Sequence, residues 1–178
     1  MTVLNQTKLS VQALEETARR MAVAARTAPK TKGKDTIEIA VITEDTLEKL
    51  AVEMERIAKE HHQAFFARDA RNLRQSGALL LIGTKFLAAG LDVCGYCGYS
   101  NCEEKRKHPD VPCAFNTTDL GIATGSAVSI AADDRVDNRI MYTVGLAARN
   151  LNLMPEEVRI IYGIPLSVYG KNPFFDRK

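Results

Sequence analysis

Four cysteines, the whole complement of the chain, fall between Cys94 and Cys113 in the spacing C-x2-C-x4-C-x10-C. A thiolate is the metal-binding form of cysteine, and free thiols with a pKa near ~8.5 are largely protonated at neutral pH. Several of them held in one short segment therefore call for a cation. Cys94, Cys97 and Cys102 are close enough for one loop to wrap a centre, and Cys113 closes the set from the far side. Gly95 and Gly98 each follow a cysteine and let the backbone curl around a compact group. Tyr96 and Tyr99 are placed either to shield such a centre from water or to pack as ordinary aromatics.

The spacing separates candidate metals in part. Zinc ribbons usually present two C-x2-C knuckles, and only one is here. The bacterial ferredoxin run C-x2-C-x2-C does not match, and the plant-type C-x4-C-x2-C is reversed. This leans to an iron–sulfur cluster and leaves a structural zinc site of four cysteines as the alternative. Charge does not divide them. Four thiolates with Zn²⁺ or with a [4Fe–4S]²⁺ core both carry about −2. Lys105, Arg106 and Lys107 either offset that charge or form a solvated surface run. His108 lies in the same loop, but four cysteines already complete a ligand set, and His61 and His62 read as surface residues at a helix end.

The surroundings are those of a folded domain. A hydrophobic content of 46% over 178 residues is enough for a real core, and the length suits a single domain, 1–178, that includes the 94–113 metal-binding loop. The first residues lack a signal-peptide apolar stretch, and no apolar run approaches the length of a membrane span. The expected location is therefore the cytoplasm, whose reducing conditions argue against two structural disulfides. A net charge of +2 gives no case for nucleic acid. Arg26, Lys30, Lys32 and Lys34 form an acid-free local run, read as a solvated turn or an anion site.

Periodicity predicts an α+β fold. A helix is expected over Lys8 to Ala28, with Ser10 as cap and Val11, Leu14, Ala18 and Met21 inward. A strand follows over Thr36 to Thr43, then a helix capped by Thr43 or Asp45 to about Glu60, and another from His62 to Arg74. Ala78 to Gly83 reads as a buried strand. After the cysteines, Thr117–Asp119 looks like the cap of a small-residue helix ending near Asp133. Asp137 or Asn138 looks like the start of the next, with Ile140 inward, and Val158 to Ile164 is the last strand. About three core strands result, with Phe174 and Phe175 docking the tail.

Two resemblances add to this. Cys94 through Cys102, then Asp119 through Ala127, Gly163 through Val168 and Gly170 through Arg177, resemble a family of uncharacterised prokaryotic proteins described as containing a ferredoxin domain. That resemblance covers almost the whole chain and implies a [4Fe–4S] cluster on Cys94, Cys97, Cys102 and Cys113. Ala24-Ala25-Arg26-Thr27-Ala28-Pro29 and Asp119–Ala123 are in turn similar to nitroreductase-type flavoproteins. This second resemblance implies nitroreductase-like helices around a small sheet, a homodimer with FMN at the subunit interface, and a flavin phosphate near Arg26, Lys30, Lys32 and Lys34. The four-cysteine loop stands as an insertion in that scaffold. Three functions follow as expectations: an iron–sulfur redox protein passing electrons to a flavin or small acceptor, a structural zinc module, or an FMN-dependent oxidoreductase.

Overall fold

The computed structural model describes residues 5–175. Asp176 and Arg177 of the C-terminal signature lie outside the described residues. In chain order come α1 (Gln6–Thr27), a 3-10 turn (Thr31–Gly33), β1 (Ile37–Ile42), α2 (Asp45–Glu60), α3 (Ala64–Arg74), β2 (Ala78–Lys85), α4 (Cys102–Arg106), α5 (Ala114–Asp133), β3 (Asp137–Asn138), α6 (Tyr142–Asn150) and β4 (Val158–Ser167). The strands form one antiparallel sheet in the order β1-β2-β4-β3. This is the expected mixture of helices around a small sheet.

The sheet separates two cores. On β2, Leu79 and Leu81 face α2, α3 and α6, whereas Ala78, Leu80 and Ile82 face α1 and α5. Burial on both faces explains why β2 reads as an unbroken apolar run rather than an alternating one. A register shift opposite Thr84/Lys85 interrupts the pairing with β4. It places Val158 and Ile161 in the same core although their spacing would otherwise send them to opposite faces.

Several element starts differ from expectation, each for a local reason. Asn5, not Ser10, caps α1: its side chain accepts from Lys8 N at 3.0 Å, and Ser10 lies inside the helix. Val11 is consequently exposed, and the buried stripe is Leu14, Thr17, Ala18, Met21 and Ala25. Glu44 precedes α2 and makes no side-chain cap. α5 begins at Ala114, so Thr117 and Thr118 are internal, and their hydroxyls donate to the Ala114 carbonyl at 2.7 and 3.0 Å. Asp137 and Asn138 pair with Ser167 and Leu166 as a fourth, edge strand instead of opening a helix, and Ile140 is exposed. Phe174 is buried, and Phe175 is exposed beneath the Arg139 guanidinium, 5.4 Å from the ring centroid.

The basic turn is built into the scaffold. Arg26 donates to Asp35 Oδ2 at 2.7 Å and to the Ile37 carbonyl at 2.8 Å, and Ile37 N donates to Asp35 Oδ1 at 3.0 Å. Partial burial pushes the Asp35 carboxyl up, but the Arg26 hydrogen bond and charge, the Ile37 N–H and nearby Lys30 outweigh it, so its pKa is lowered from the ordinary 3.8. A depressed folded-state pKa gives stability that is full above the unfolded value and is lost as pH falls through the folded one. Asp35→Asn is therefore expected to cost up to about 1 kcal/mol near neutrality. In denaturation series, the gap to the parent protein should close below pH 3.8. A gap that persists or widens under acid would show that Asp35 acts otherwise.

Candidate metal centre

All four cysteines are free thiols lining one pocket. Each comes from a differently constrained piece of chain. Cys113 is at the N-cap position of α5, 4% exposed, and held by a 20-residue helix. The helix start favours negative charge there. Cys102 opens α4, a short helix within the loop that the sequence did not foretell, and the Asn101 side chain caps it by accepting from Glu104 N at 2.9 Å. Cys94 and Cys97 lie in the turn before it. Gly98 has φ +85° and its N–H bonds the Gly95 carbonyl at 2.9 Å, so this position needs glycine. A side chain at Gly95 would meet only ordinary contact, so its glycine is not demanded in the same way.

The two tyrosines bracket the pocket. Tyr96 stacks on Phe115 with ring centroids 5.8 Å apart, although it is 82% exposed. Tyr99 stacks on His108 at 4.7 Å. His108 does not line the pocket; its Nε2 lies 3.7 Å from Glu104. Of the basic run that follows Cys102, Lys107 pairs with Glu104 at 2.8 Å on the surface. Lys105 does the opposite. It lines the pocket and is 2% exposed.

The pocket is anchored to the scaffold by polar contacts of Asn116 and Asp119 on α5. Asn116 Oδ1 accepts from Leu87 N at 2.9 Å, fixing the segment that leads into the cysteines. Asp119 accepts from Thr31 N at 3.0 Å and Thr31 Oγ1 at 2.9 Å, fixing the basic turn to the same helix. Lys32 Nζ then donates to the Gly90 carbonyl at 2.8 Å and Lys34 Nζ to that of Ala89 at 3.2 Å. Helix α5, the basic turn and the 86–93 segment are thus tied together beside the thiols. In the sequence Asp119 stands as a cap candidate and within both resemblances, whereas nothing marks Asn116.

The donor set can be tested against the groups it is expected to hold. Among the described residues, no three His, Cys, Asp or Glu side chains converge closely enough to hold a metal ion as they stand. A tetrahedral zinc would draw four sulfurs to about 3.8 Å from one another, whereas a four-iron cube carries its thiolates at corners set further apart. Four thiols around a shared pocket match a thiolate centre in composition. The basic turn expected near a flavin phosphate makes contacts within the chain. Arg26 is committed to Asp35, Lys30 Nζ to the Ala25 and Arg26 carbonyls at the end of α1, and Lys32 and Lys34 to the 86–93 segment.

Comparison with known proteins fits both halves of the picture. Residues 109–177, which include Cys113, match the family described as "Uncharacterized protein containing a ferredoxin domain". An uncharacterized protein of Archaeoglobus fulgidus is 42% identical over 98% of this chain and 97% of its own length. Among solved structures, the nitroreductase CinD from Lactococcus lactis in complex with chloramphenicol superposes with a TM-score of 0.64 at 15% identity, covering 88% of this chain and 79% of that one. A BluB-like flavoprotein from Clostridium difficile gives 0.56 at 17% identity, over 92% and 84%. The chain therefore has a nitroreductase-like fold and belongs to the family of uncharacterised proteins containing a ferredoxin domain.

Proposed function

We infer that this protein is an iron–sulfur redox protein that carries a [4Fe–4S] cluster on Cys94, Cys97, Cys102 and Cys113. The observation that carries the reading is the single pocket lined by all four free thiols. The family description supports it. Bound there, a cluster supplies one-electron transfer at a potential set by its surroundings. The chain's own parts have definite tasks. Cys113 is the rigid ligand, fixed by α5, and the loop from Cys94 to Cys102 is the part that closes. Tyr96 and Tyr99 cover the approach, and Asn116 holds the 86–93 segment in place. Burial and hydrogen bonds around the sulfurs tune the potential. In this reading the 94–113 segment is an insertion in a single 1–178 domain, which pairs with a second copy as the nitroreductase resemblance implies. No helix among the described residues is long and apolar enough to cross a membrane.

Voltammetry of anaerobically reconstituted protein tests this. One reversible one-electron wave is expected inside the roughly −700 to +450 mV window of such clusters. A redox-silent protein with tightly held zinc would contradict it. The fold favours a second reading, an FMN-dependent oxidoreductase. That reading predicts a yellow protein which releases flavin on denaturation.

A further inference from the structure

Lys32, Lys34 and Arg106 gather where the chain enters the cysteine pocket. Lys32 Nζ donates to the Gly90 carbonyl at 2.8 Å, and Lys34 Nζ to that of Ala89 at 3.2 Å. A Cβ built on Gly90 would stand 3.3 Å from Lys34 Nζ and 3.7 Å from Arg106 Nη2, so these two charged nitrogens flank one backbone position. All three side chains are exposed, and among the described residues none of them pairs with a carboxylate. Asp35 serves Arg26, Glu104 serves Lys107, and Asp92, the acid of the 86–93 segment, stays apart from all three. Exposed cations brought together without an acid repel one another and project a positive field. That field falls beside the thiols, because Ala88 and Ala89 line their pocket.

The same rim leaves large apolar side chains in water. Val93, next to Cys94, is 96% exposed, and Tyr96 and Leu87 are exposed with it. Apolar side chains bordered by charge are the anatomy of a protein interface. A small anion would meet the cations and leave Val93 and Tyr96 uncovered, and two of the ammoniums already spend a donor on main-chain carbonyls. A second copy of this chain fits no better, since a two-fold contact through this face sets like charges against each other.

We propose that Lys32, Lys34 and Arg106 are the charged rim of a docking surface for an acidic one-electron carrier protein. This rests on the cluster reading above. One electron passes between the cluster and the carrier's own redox centre, so that one is oxidised as the other is reduced; no bond forms or breaks. The cations steer the carrier to the side of the pocket where Cys94, Cys97 and Cys102 are partly exposed. Val93 and Tyr96 then exclude water from the contact.

The test uses the full-length protein, reconstituted anaerobically with ferrous iron and sulfide and reduced with dithionite that is then removed. Two one-electron oxidants of opposite charge, an acidic b-type cytochrome and a basic c-type cytochrome, are mixed with it in stopped flow. With the acidic one, the second-order rate constant should fall about tenfold between about 0.01 M and about 0.2 M sodium chloride, because screening shortens the reach of the cations. With the basic one it should stay level or rise. The triple variant Lys32→Gln/Lys34→Gln/Arg106→Gln should slow the acidic oxidant about tenfold at low salt and leave the basic one unslowed, whereas a merely structural loss slows both. Should that variant fail to load iron, the salt dependence of wild type decides alone. A rate with the acidic cytochrome that ignores salt, or that the loaded triple variant keeps, overturns the docking surface and leaves the cluster reading intact. Loaded protein that the acidic cytochrome fails to oxidise overturns it likewise. Inorganic phosphate that blocks the reaction at constant ionic strength, where chloride does not, makes the cations a small-anion site and overturns it too. Wild type that takes up no iron overturns the cluster reading, and this proposal with it.

Discussion

Replacing Cys113 by serine is expected to cut the iron retained after anaerobic reconstitution at least about tenfold, a loss no smaller than that seen when supporting groups of a metal site are removed. The reason lies in how unequally the four cysteines are held. Cys113 is the one buried cysteine and is fixed at the start of the 20-residue α5. Cys94, Cys97 and Cys102 ride on a turn and a five-residue helix. A centre assembled on this chain needs one rigid ligand to meet, and only Cys113 offers it. Serine is a harder donor with little affinity for iron–sulfur centres. The fold itself should survive, because the change removes no volume from either core, and the metal-free variant should lose no more than about 1 kcal/mol. Metal analysis beside a melting curve separates the two effects. Normal iron uptake by Cys113→Ser would mean that this residue is not a ligand.

The second large effect is far from the cysteines. Gly145 lies in α6 where the helix rests directly on β4. A Cβ built there would stand 1.7 Å from the Ile161 carbonyl oxygen and 2.4 Å from its carbon. Alanine normally improves a helix by about 1 kcal/mol over glycine. Here that gain is opposed by an overlap with main chain, which cannot swing aside as a flexible side chain would. Helix α6 would have to lift from the sheet and loosen Val144, Ala147 and Ala148 from the core shared with α2 and α3. Gly145→Ala is expected to destabilise the protein by about 3 kcal/mol or more, lowering Tm by about 10 °C for a chain of this size. Thermal unfolding followed by circular dichroism checks this. An unchanged or higher Tm would show that the helix–sheet separation adjusts freely.

Much of the scaffold could be read from periodicity. The buried strand at Ala78, the α2 stripe of Leu47, Leu50, Met54 and Ile57, and the ends of α2 and α5 near Glu60 and Asp133 all follow from local patterns. What escaped depended on distant partners. The strand at Asp137–Asn138 exists because β4 offers an edge, and nothing in those two polar residues announces it. Thr117-Thr118-Asp119 has the chemistry of a helix cap, yet α5 begins at Ala114, and two of these side chains turn back to Ala114 while the third reaches Thr31. At the site, the cysteine spacing exposed the candidate ligands directly. Lys105, Arg106 and Lys107 looked alike as one basic run. Only the turn of α4 sends the first inward, the second to the rim and the third to solvent.

The most direct test of the iron–sulfur reading is the metal content of the purified chain after anaerobic reconstitution. Iron, acid-labile sulfide and zinc are measured on the same sample, alongside absorbance near ~400 nm. Occupancy by about four irons and four sulfides per chain, in a brown protein without zinc, is the predicted result. One tightly bound zinc per chain, with neither iron nor sulfide, would contradict it.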